Sequence, residues 1–453
     1  MRQLKRGVWL IAAVSTAATW AEAADPLPSH APTGPAAEAA ARTTTAEAPV
    51  LSLTQAVQWT LERHPRLRLS RATTEASEAR VDRAFAPLLP QVTGSARYQR
   101  ATANGAQGAP ARASSFRSYD SFTFELAASQ LVTDFGQTTG RLRVARATRD
   151  AQKKLSEADR LELLLAVKTS FLQAQAQKQL LAVALETLAN LQRHLASVSG
   201  FVEVGTRPPI DRVQAQADVQ RAELVRVNAL NNYAIAKARL AQAMGFDAHS
   251  EFEVAGELLP PIQDEEAATE RLFAIALAAR PDLQAAQDTL YAQQLSVDVA
   301  RAGYFPSLSV SAALRETGDA PTTLRWNASV GAALIWPLYE GGATRAEVRE
   351  AHANVDAATA QLALARQQLL VDLEQARLSV HGAKQALATA DLLVESTRQR
   401  LILAEGRYQT GVGNLLELAD AQLALTTAQG DRVQAEFSLS TARAALLQAL
   451  GRP

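Results

Sequence analysis

No glycine or proline occurs between Gly140 and Gly200, and the residues between them are mostly strong helix formers such as Ala, Leu, Gln and Arg. With its flanks, from Gly136 to Gly205, this stretch predicts one unbroken helix about 100 Å long at 1.5 Å per residue. Such a helix is several times longer than a compact domain is wide. Charged side chains interrupt its apolar runs, so it is not predicted to span a membrane. Two interpretations remain. The helix could belong to a long coiled coil, or it could be one of several parallel helical rods, here called staves, that form the wall of a tube.

The composition of the chain excludes several classes of function. In its 453 residues, 46 basic side chains balance 46 acidic ones, which gives no support for a nucleic-acid partner. The chain has no cysteine, and this excludes a disulfide framework, a thiolate metal site and a thiol nucleophile. Its six histidines show no metal-ligand spacing, and no nucleotide-binding loop or catalytic triad is recognisable. The sequence therefore predicts neither an enzyme nor a cofactor.

The N-terminus has the organisation of a secretory signal peptide over residues 1–23. Basic residues precede an apolar segment, and Ala21-Glu22-Ala23 provides a cleavage site. A short membrane anchor is the alternative, but the apolar segment is too brief to span well. Residues 24–50 are rich in Ala, Pro and Thr and predict a flexible extension. No later run of 18 apolar residues follows. An exported chain of this kind is expected to be periplasmic, secreted, or inserted in the outer membrane as a β-barrel.

The chain contains an internal duplication. Four landmarks recur in the same order, and they are Pro65, Pro90, Gly205 and Gly245 in the first half and Pro281, Pro306, Gly411 and Gly451 in the second. The first two pairs are 216 residues apart (281 − 65) and the last two are 206 apart (411 − 205). Ten residues are therefore missing from the second half, most simply from one loop. These offsets predict repeats over 51–245 and 269–451, joined by a linker over 246–268.

Each repeat is predicted to contain three helices and two strands. A helix of about 35 residues, over 53–87 or 269–303, ends before a proline, where helical conformation is disfavoured. Two strands, the long helix, a glycine turn and a final helix of about 35 residues follow. Two helices of about 35 residues laid end to end are as long as one helix of about 70 residues. Each repeat can thus supply two staves of equal length, which favours a tube over a coiled coil.

Alternating apolar and polar residues predict four strands, over 91–101, 119–134, 307–315 and 323–337. Trp326 and Trp336 lie on one face, about 34 Å apart along a strand. With a tilt near 40° their vertical separation is roughly 26 Å, close to the apolar band of an outer-membrane barrel. Both tryptophans are therefore expected at the membrane interface. A half-buried soluble sheet would show a similar alternation. The loops over 103–118 and 316–322 are polar and are expected to be extracellular.

Four strands cannot close into a barrel, because the smallest membrane barrels have about eight strands and a water-filled lumen needs more. Several copies of the chain must therefore contribute to one barrel. Three chains would give twelve strands and twelve helical staves.

The combination of these features resembles the TolC-like outer membrane efflux protein family. The resemblance covers residues 51–451 and is carried by the duplication, the two proline-terminated helices, the segments 132–136 (VTDFG) and 336–342 (WPLYEGG), and the turns at Gly205 and Gly411. It implies an α+β membrane protein. In that fold a homotrimeric, 12-stranded transmembrane β-barrel is continuous with a long antiparallel α-helical barrel.

For function, the resemblance implies a channel-tunnel in the outer membrane of a Gram-negative bacterium, extending into the periplasm. Such a channel is the exit duct of a tripartite export machine, for drug and small-molecule efflux or for type I protein secretion. The implied partners are a periplasmic adaptor (membrane fusion) protein, an inner-membrane ABC or proton-driven transporter, and outer-membrane lipid. Nothing in these residues selects the cargo. A non-membrane periplasmic coiled-coil scaffold is the alternative.

The resemblance implies that the tunnel entrance lies at the turns farthest from the strands. Glu417 and Asp420 match the family's pore-lining carboxylates, and their i, i+3 spacing puts them on one helix face. Six carboxylates from three copies would favour cations and could bind divalent ions. Asp211 matches the acidic residue of the first-repeat turn. Two alternatives are structural: Glu417 can follow an Asn414 helix cap, and Asp211 can be a favourable charge in a first helical turn.

A latch that holds the entrance shut is implied between Tyr408 and Asp211. The chain departs from the family at Gly413, where the family prototype has a latch arginine, whereas Arg207 occupies the equivalent place in the first repeat. The closing contacts therefore cannot be transferred intact. Adaptor docking is implied for the tips of the two turns, which comprise Val204, Gly205, Thr206, Thr410, Gly411 and Val412.

Overall fold

The computed structural model describes residues 50–103, 117–246 and 252–453. The predicted signal peptide 1–23, residues 24–49 of the predicted extension, most of the loop 103–118 and residues 247–251 of the predicted linker lie outside the described residues. Among the helices of the described ranges, none has the length and apolar character needed to cross a membrane.

The described elements follow the same order in both repeats. In the first repeat, helices α1 to α4 are Leu53–Arg63, Pro65–Phe85, Gln137–Glu203 and Pro209–Met244. In the second repeat, helices α5 to α8 are Thr269–Ala279, Pro281–Ala302, Ala343–Gln409 and Leu415–Ala449. Strands β1 to β6 are Val50–Leu51, Gln91–Ala103, Arg117–Thr133, Glu253–Val254, Ser307–Gly318 and Arg325–Ile335. A single 3-10 turn, Ala86–Leu88, joins α2 to β2. The tandem structural repeat is thus confirmed.

The two long helices, α3 and α7, each contain 67 residues and are therefore about 100 Å long. Each begins after a glycine in the left-handed conformation, Gly136 (φ 97°) or Gly342 (φ 88°). Each ends at a turn whose glycine, Gly205 or Gly411, is also left-handed. Glycine adopts this conformation at little cost, so these positions set the ends of helices whose interiors contain no proline.

Proline interrupts the shorter helices at two equivalent places. His64 and Arg280 have extended backbones, with ψ of 129° and 118°, and new helices start at Pro65 and Pro281. The proline ring has no N–H and disfavours a helical conformation in the residue before it. The prediction of single helices over 53–87 and 269–303 is therefore wrong. Each segment is two helices, α1 with α2 and α5 with α6.

The final helix of each repeat meets the start of a proline-initiated helix. A Cβ atom at Gly245, which follows α4, would lie 3.0 Å from Cδ of Pro65 at the start of α2. A Cβ atom at Gly451, which follows α8, would lie 3.0 Å from the backbone of Ala279, two residues before α6. Helices α2 and α4 both pack on α3, as α6 and α8 do on α7. Each repeat thus supplies one continuous stave and one jointed stave.

Equivalent apolar clusters surround the two joints. Both clusters contain buried residues from matching positions, which are Ala56, Val167 and Leu240 in the first repeat and Leu272, Leu373 and Leu446 in the second. In the first repeat, the ring of Trp59 on α1 meets that of Phe246 edge-on, with 5.8 Å between centroids. The short parallel sheet of β1 and β4 contributes Leu51 and Val254 to the same cluster. Removal of these side chains from water holds the jointed staves against the continuous ones.

Strands β2, β3, β5 and β6 form one antiparallel sheet in that order. Strands β3 and β5, from different repeats, pair at its centre, and β2 and β6 are its edges. The predicted bounds differ from the observed ones by at most three residues. The ten-residue difference between repeats is not confined to a loop. Strands β2 and β3 contain 13 and 17 residues, whereas β5 and β6 contain 12 and 11.

The pairing register gives this sheet an apolar face and a polar face. Across the apolar face, Val330 pairs with Ala312, and Ala312 pairs with Ala128. In the single chain Val330 is 86% exposed and Trp326 is 70% exposed. The opposite face carries small or polar side chains, including Ser329 of β6. An uncovered apolar surface of this kind marks a contact with lipid or with protein.

Candidate functional site at the helical turns

The two turns that follow α3 and α7 lie at the end of the staves away from the sheet. In the first turn, the N–H of Gly205 donates to the carbonyl oxygen of Val202 at 3.0 Å. In the second turn, the N–H of Gly411 donates to the carbonyl oxygen of Tyr408 at 3.2 Å. The six residues implied in docking are all exposed; they are Val204, Gly205, Thr206, Thr410, Gly411 and Val412. The turns therefore present short, mixed apolar and polar surfaces.

One apolar cluster joins the two turns. It contains buried side chains from α3, α4, α7 and α8, which are Val198, Ala215, Ala404, Tyr408, Leu418 and Ala421. Four of the six are alanine or valine, so the helices approach closely around the single large ring. The cluster brings the two repeats together near the predicted entrance.

Tyr408 is the centre of this cluster. Its side chain is 4% exposed, and its ring lies 5.6 Å from that of His194 on α3. The hydroxyl is buried and has no hydrogen-bond partner among the described residues. Burial raises the pKa of Tyr408. The positive charge of Arg207 opposes this rise in pKa, whereas the negative charge of Asp211 adds to it. Tyr408 is thus held by packing rather than by its hydroxyl.

Arg207 makes the contact that the sequence resemblance implied for Asp211. Its guanidinium carbon lies 4.5 Å from the centre of the Tyr408 ring, a cation–π geometry. Its Nη2 also donates to the backbone carbonyl oxygen of Tyr408 at 3.0 Å. Asp211 forms no hydrogen bond with Tyr408 in the described part of the chain. Arg207 therefore links the first turn to α7, which is consistent with the loss of the family arginine at Gly413.

Glu417 lies in the first turn of α8, where its backbone N–H is capped and its carboxylate forms an ion pair. The side-chain Oδ1 of Asn414 accepts a hydrogen bond from the backbone N–H of Glu417 at 2.7 Å, which caps the helix. The Glu417 carboxylate lies 3.4 Å from Nε of Arg407. The Glu417 side chain is half-buried, and Arg407 partly compensates its negative charge.

Asp420 and Asp211 occupy different environments. Asp420 is exposed on α8, on the same side as the exposed Leu416 and Leu423. Among the described residues it has no ion pair within 4 Å. Asp211 is half-buried in the first turn of α4, where a negative charge is favourable. Asp420 is therefore the most exposed of the three carboxylates predicted at the entrance.

His194 is a member of this site that the sequence reasoning missed. Its Nε2 is buried without a hydrogen-bond partner among the described residues. Burial lowers the pKa of His194, and the charges of Asp218 and Asp211 oppose that decrease. A single histidine within a 67-residue helix forms no pattern with its sequence neighbours. Only the contact of its ring with Tyr408 of α7 identifies it.

Residues 56–246 and 272–452 match the family model described as outer membrane efflux protein. The chain belongs to this family. The matched ranges contain both repeats and omit most of the segment between them. The resemblance stated from the sequence is confirmed, and the chain is an outer membrane efflux protein.

Relatives of the efflux protein share most of its length. Protein CyaE of Bordetella pertussis is 29% identical over 420 residues, which cover 88% of this chain and 84% of CyaE. The pyoverdine export outer membrane protein OpmQ of Pseudomonas aeruginosa is 29% identical over 379 residues, which cover 81% of this chain and 78% of OpmQ. The crystal structure of the Campylobacter jejuni CmeC outer membrane channel matches with a TM-score of 0.78 and 20% identity, covering 88% of this chain and 85% of CmeC.

Proposed function

We propose that three copies of this efflux protein close a 12-stranded barrel in the outer membrane and form the exit duct of a tripartite export machine. The observation that carries this proposal is the four-stranded sheet with an uncovered apolar face. Its edge strands, β2 and β6, each have a side with no strand neighbour among the described residues. Unpaired backbone groups cannot remain in a bilayer, so the edges need partners from other copies.

The proposed duct has two protein partners, an adaptor and a transporter. The exposed turn residues, from Val204 to Thr206 and from Thr410 to Val412, form the proposed docking surface for a periplasmic adaptor. An inner-membrane ABC or proton-driven transporter would supply energy. Relatives are named for pyoverdine export and for toluene efflux, so similar chains serve unlike cargo. This variety supports a passive duct and leaves its cargo to the partner transporter.

The assembly is tested by measuring mass and pore formation in detergent and in planar bilayers. We expect membrane extraction to require detergent, the purified complex to contain three chains, and the complex to form water-filled pores. The reason is that one chain supplies too few strands to close a lumen. A stable monomer with native β content would contradict the trimer. Extraction without detergent would instead support the periplasmic scaffold.

If the sheet lies in lipid, the free-energy cost of introducing a charged side chain on its apolar face should depend on the depth of that residue in the membrane. Val330 lies near the middle of β6, so Val330→Arg should destabilise insertion by about 2–4 kcal/mol. Trp326→Arg, near the membrane boundary, should cost roughly 0–1 kcal/mol. Ser329→Arg is the matched control, because Ser329 is adjacent in sequence and lies on the polar face. Trimer yield and denaturant unfolding in lipid vesicles measure these differences. Equal loss for Val330→Arg and Ser329→Arg would refute the assigned faces.

A further inference from the structure

Among the residues whose side chains the structure describes, the charged side chains on the polar face of the sheet lie in two neighbouring rows. The row nearer the strand connections pairs four residues across the sheet, which are Arg97, Thr123, Thr317 and Arg325. The adjacent row towards the helices consists of Ser95, Glu125, Arg315 and Asn327. The next row towards the helices is uncharged, with Thr93, Ala127, Ala313 and Ser329. The polar face therefore has one charged zone along this part of its length.

The charged zone has an excess of positive charge. Arg315 donates through Nε and Nη2 to Oε2 of Glu125, at 2.9 Å and 2.7 Å, so these two charges compensate each other. Arg97 and Arg325 are exposed and form no ion pair with any of the described residues. Three arginines against one glutamate leave two net positive charges per chain. A trimer would thus present about six in one zone of its lumen.

The two uncompensated arginines lie at opposite edges of the sheet. Arg97 belongs to β2 and Arg325 belongs to β6, and both are in the same row. If three sheets close into a barrel, β6 of one chain lies beside β2 of the next. Each of the three junctions then has Arg97 on one strand and Arg325 on the other, and the stagger of the closed barrel sets their relative height. Neither arginine has a carboxylate within ion-pair distance among the described residues, so both add positive potential to a confined lumen, and such a potential attracts anions.

We propose that these arginines form an anion-binding girdle in the strand-lined part of the duct, which receives carboxylate or phosphate groups of departing cargo. The proposal rests on the proposed trimeric duct and adds a substrate class to it. Guanidinium groups suit carboxylates and phosphates because they donate two parallel hydrogen bonds to them. The girdle has the opposite sign to the carboxylates proposed at the helical turns. Anionic groups would therefore be attracted most strongly beyond the entrance, close to the exit.

The girdle is tested with tripolyphosphate as a polyanionic probe in single-channel recordings of the full-length trimer. Tripolyphosphate added on the side of the strand connections should block the wild-type current. Arg97→Ser combined with Arg325→Ser should weaken that block by about tenfold or more, because the lumen loses its uncompensated charge. Glu125→Gln should strengthen the block, since it releases Arg315 from its ion pair. Arg100→Ser is the matched control: Arg100 lies on β2 but on the opposite face.

The outcomes separate the girdle from the duct itself. Absence of pores with the wild-type chain would overturn the proposed function and the girdle with it. Pores in which the double variant and the control are blocked as strongly as wild type would overturn the girdle alone. If the double variant fails to assemble, Glu125→Gln decides, because a block no stronger than wild type contradicts the proposal. Weaker block in the double variant together with stronger block in Glu125→Gln is the expected result.

Discussion

Glu265→Ala is expected to lower the free energy of unfolding by about 3–5 kcal/mol, because it leaves a buried guanidinium without its charge partner. Glu265 is 8% exposed and lies in the segment between β4 and α5. Its carboxylate lies 2.6 Å from Nζ of Lys384 on α7 and 3.1 Å from Nε of Arg443 on α8. It also accepts a hydrogen bond from the N–H of Ile262 at 3.1 Å. This one side chain therefore ties the inter-repeat segment to two staves.

Glu266→Ala is the matched control for this prediction. Glu266 is the next residue and also binds Lys384, at 2.8 Å, but its side chain is 84% exposed. An exposed ion pair contributes about 0–1 kcal/mol, so the control should be close to wild type. Denaturant unfolding of the purified protein measures both variants. Equal losses for the two substitutions would mean that burial of Glu265 does not set its contribution.

The same network predicts a loss of stability in acid. Burial by itself raises the pKa of Glu265, but hydrogen bonds from Lys384, Arg443 and the Ile262 N–H lower this pKa more, to about 2 from an ordinary 4.5. Because the folded-state pKa is lower than the unfolded one, the ionised carboxylate stabilises the fold above about pH 4.5. That contribution should disappear as the pH falls from about 4.5 towards 2. Glu265→Gln should remove this part of the acid dependence.

Asp420→Ala is expected to lower the cation selectivity of the reconstituted channel and to weaken its block by divalent cations. Three exposed carboxylates would be lost from one narrow aperture, and the negative potential there would fall. Glu417→Ala should have a smaller effect on selectivity, because Glu417 is half-buried and lies 3.4 Å from Arg407. Reversal potentials in asymmetric salt and titration with Mg²⁺ measure both variants.

Stability measurements should show that the helix cap depends on Asn414 and not on the Glu417 side chain. The cap of α8 is made by the side chain of Asn414 and the backbone N–H of Glu417, so Glu417→Ala retains it. Asn414→Ala removes the cap and should cost about 1 kcal/mol. The Asp420 hypothesis fails if Asp420→Ala retains both the selectivity and the block of the wild-type channel, even where trimers and pores form normally.

Local sequence patterns predicted the elements whose determinants are themselves local. The length of α3 followed from the spacing of Gly136 and Gly205, and the two faces of β6 followed from simple alternation. The breaks at Pro65 and Pro281 were missed, although proline marks both positions. The helical pattern continues on either side of each proline and conceals the single extended residue that precedes it.

Contacts between distant parts of the chain were not predictable from these patterns. Glu265 and Arg443 are 178 residues apart, and the segment over 246–268 looked like a simple linker. The contact between Arg207 and Tyr408 joins residues that are 201 positions apart, and the resemblance did not imply it. Such pairs depend on how the staves are arranged side by side. A single sequence records each partner but not their proximity.

The equal lengths of α3 and α7 restrict how a chain of this type can change in evolution. Removing one residue from either helix would rotate everything beyond it by about 100° and shorten it by about 1.5 Å, exchanging buried for exposed side chains. Removing seven residues, about two turns, would keep the buried side in place but shorten one stave by roughly 10 Å. The neighbouring jointed stave and the other repeat would need the same deletion. Natural length differences among such chains should therefore concentrate in the hairpins between strands, where the two halves of this chain already differ.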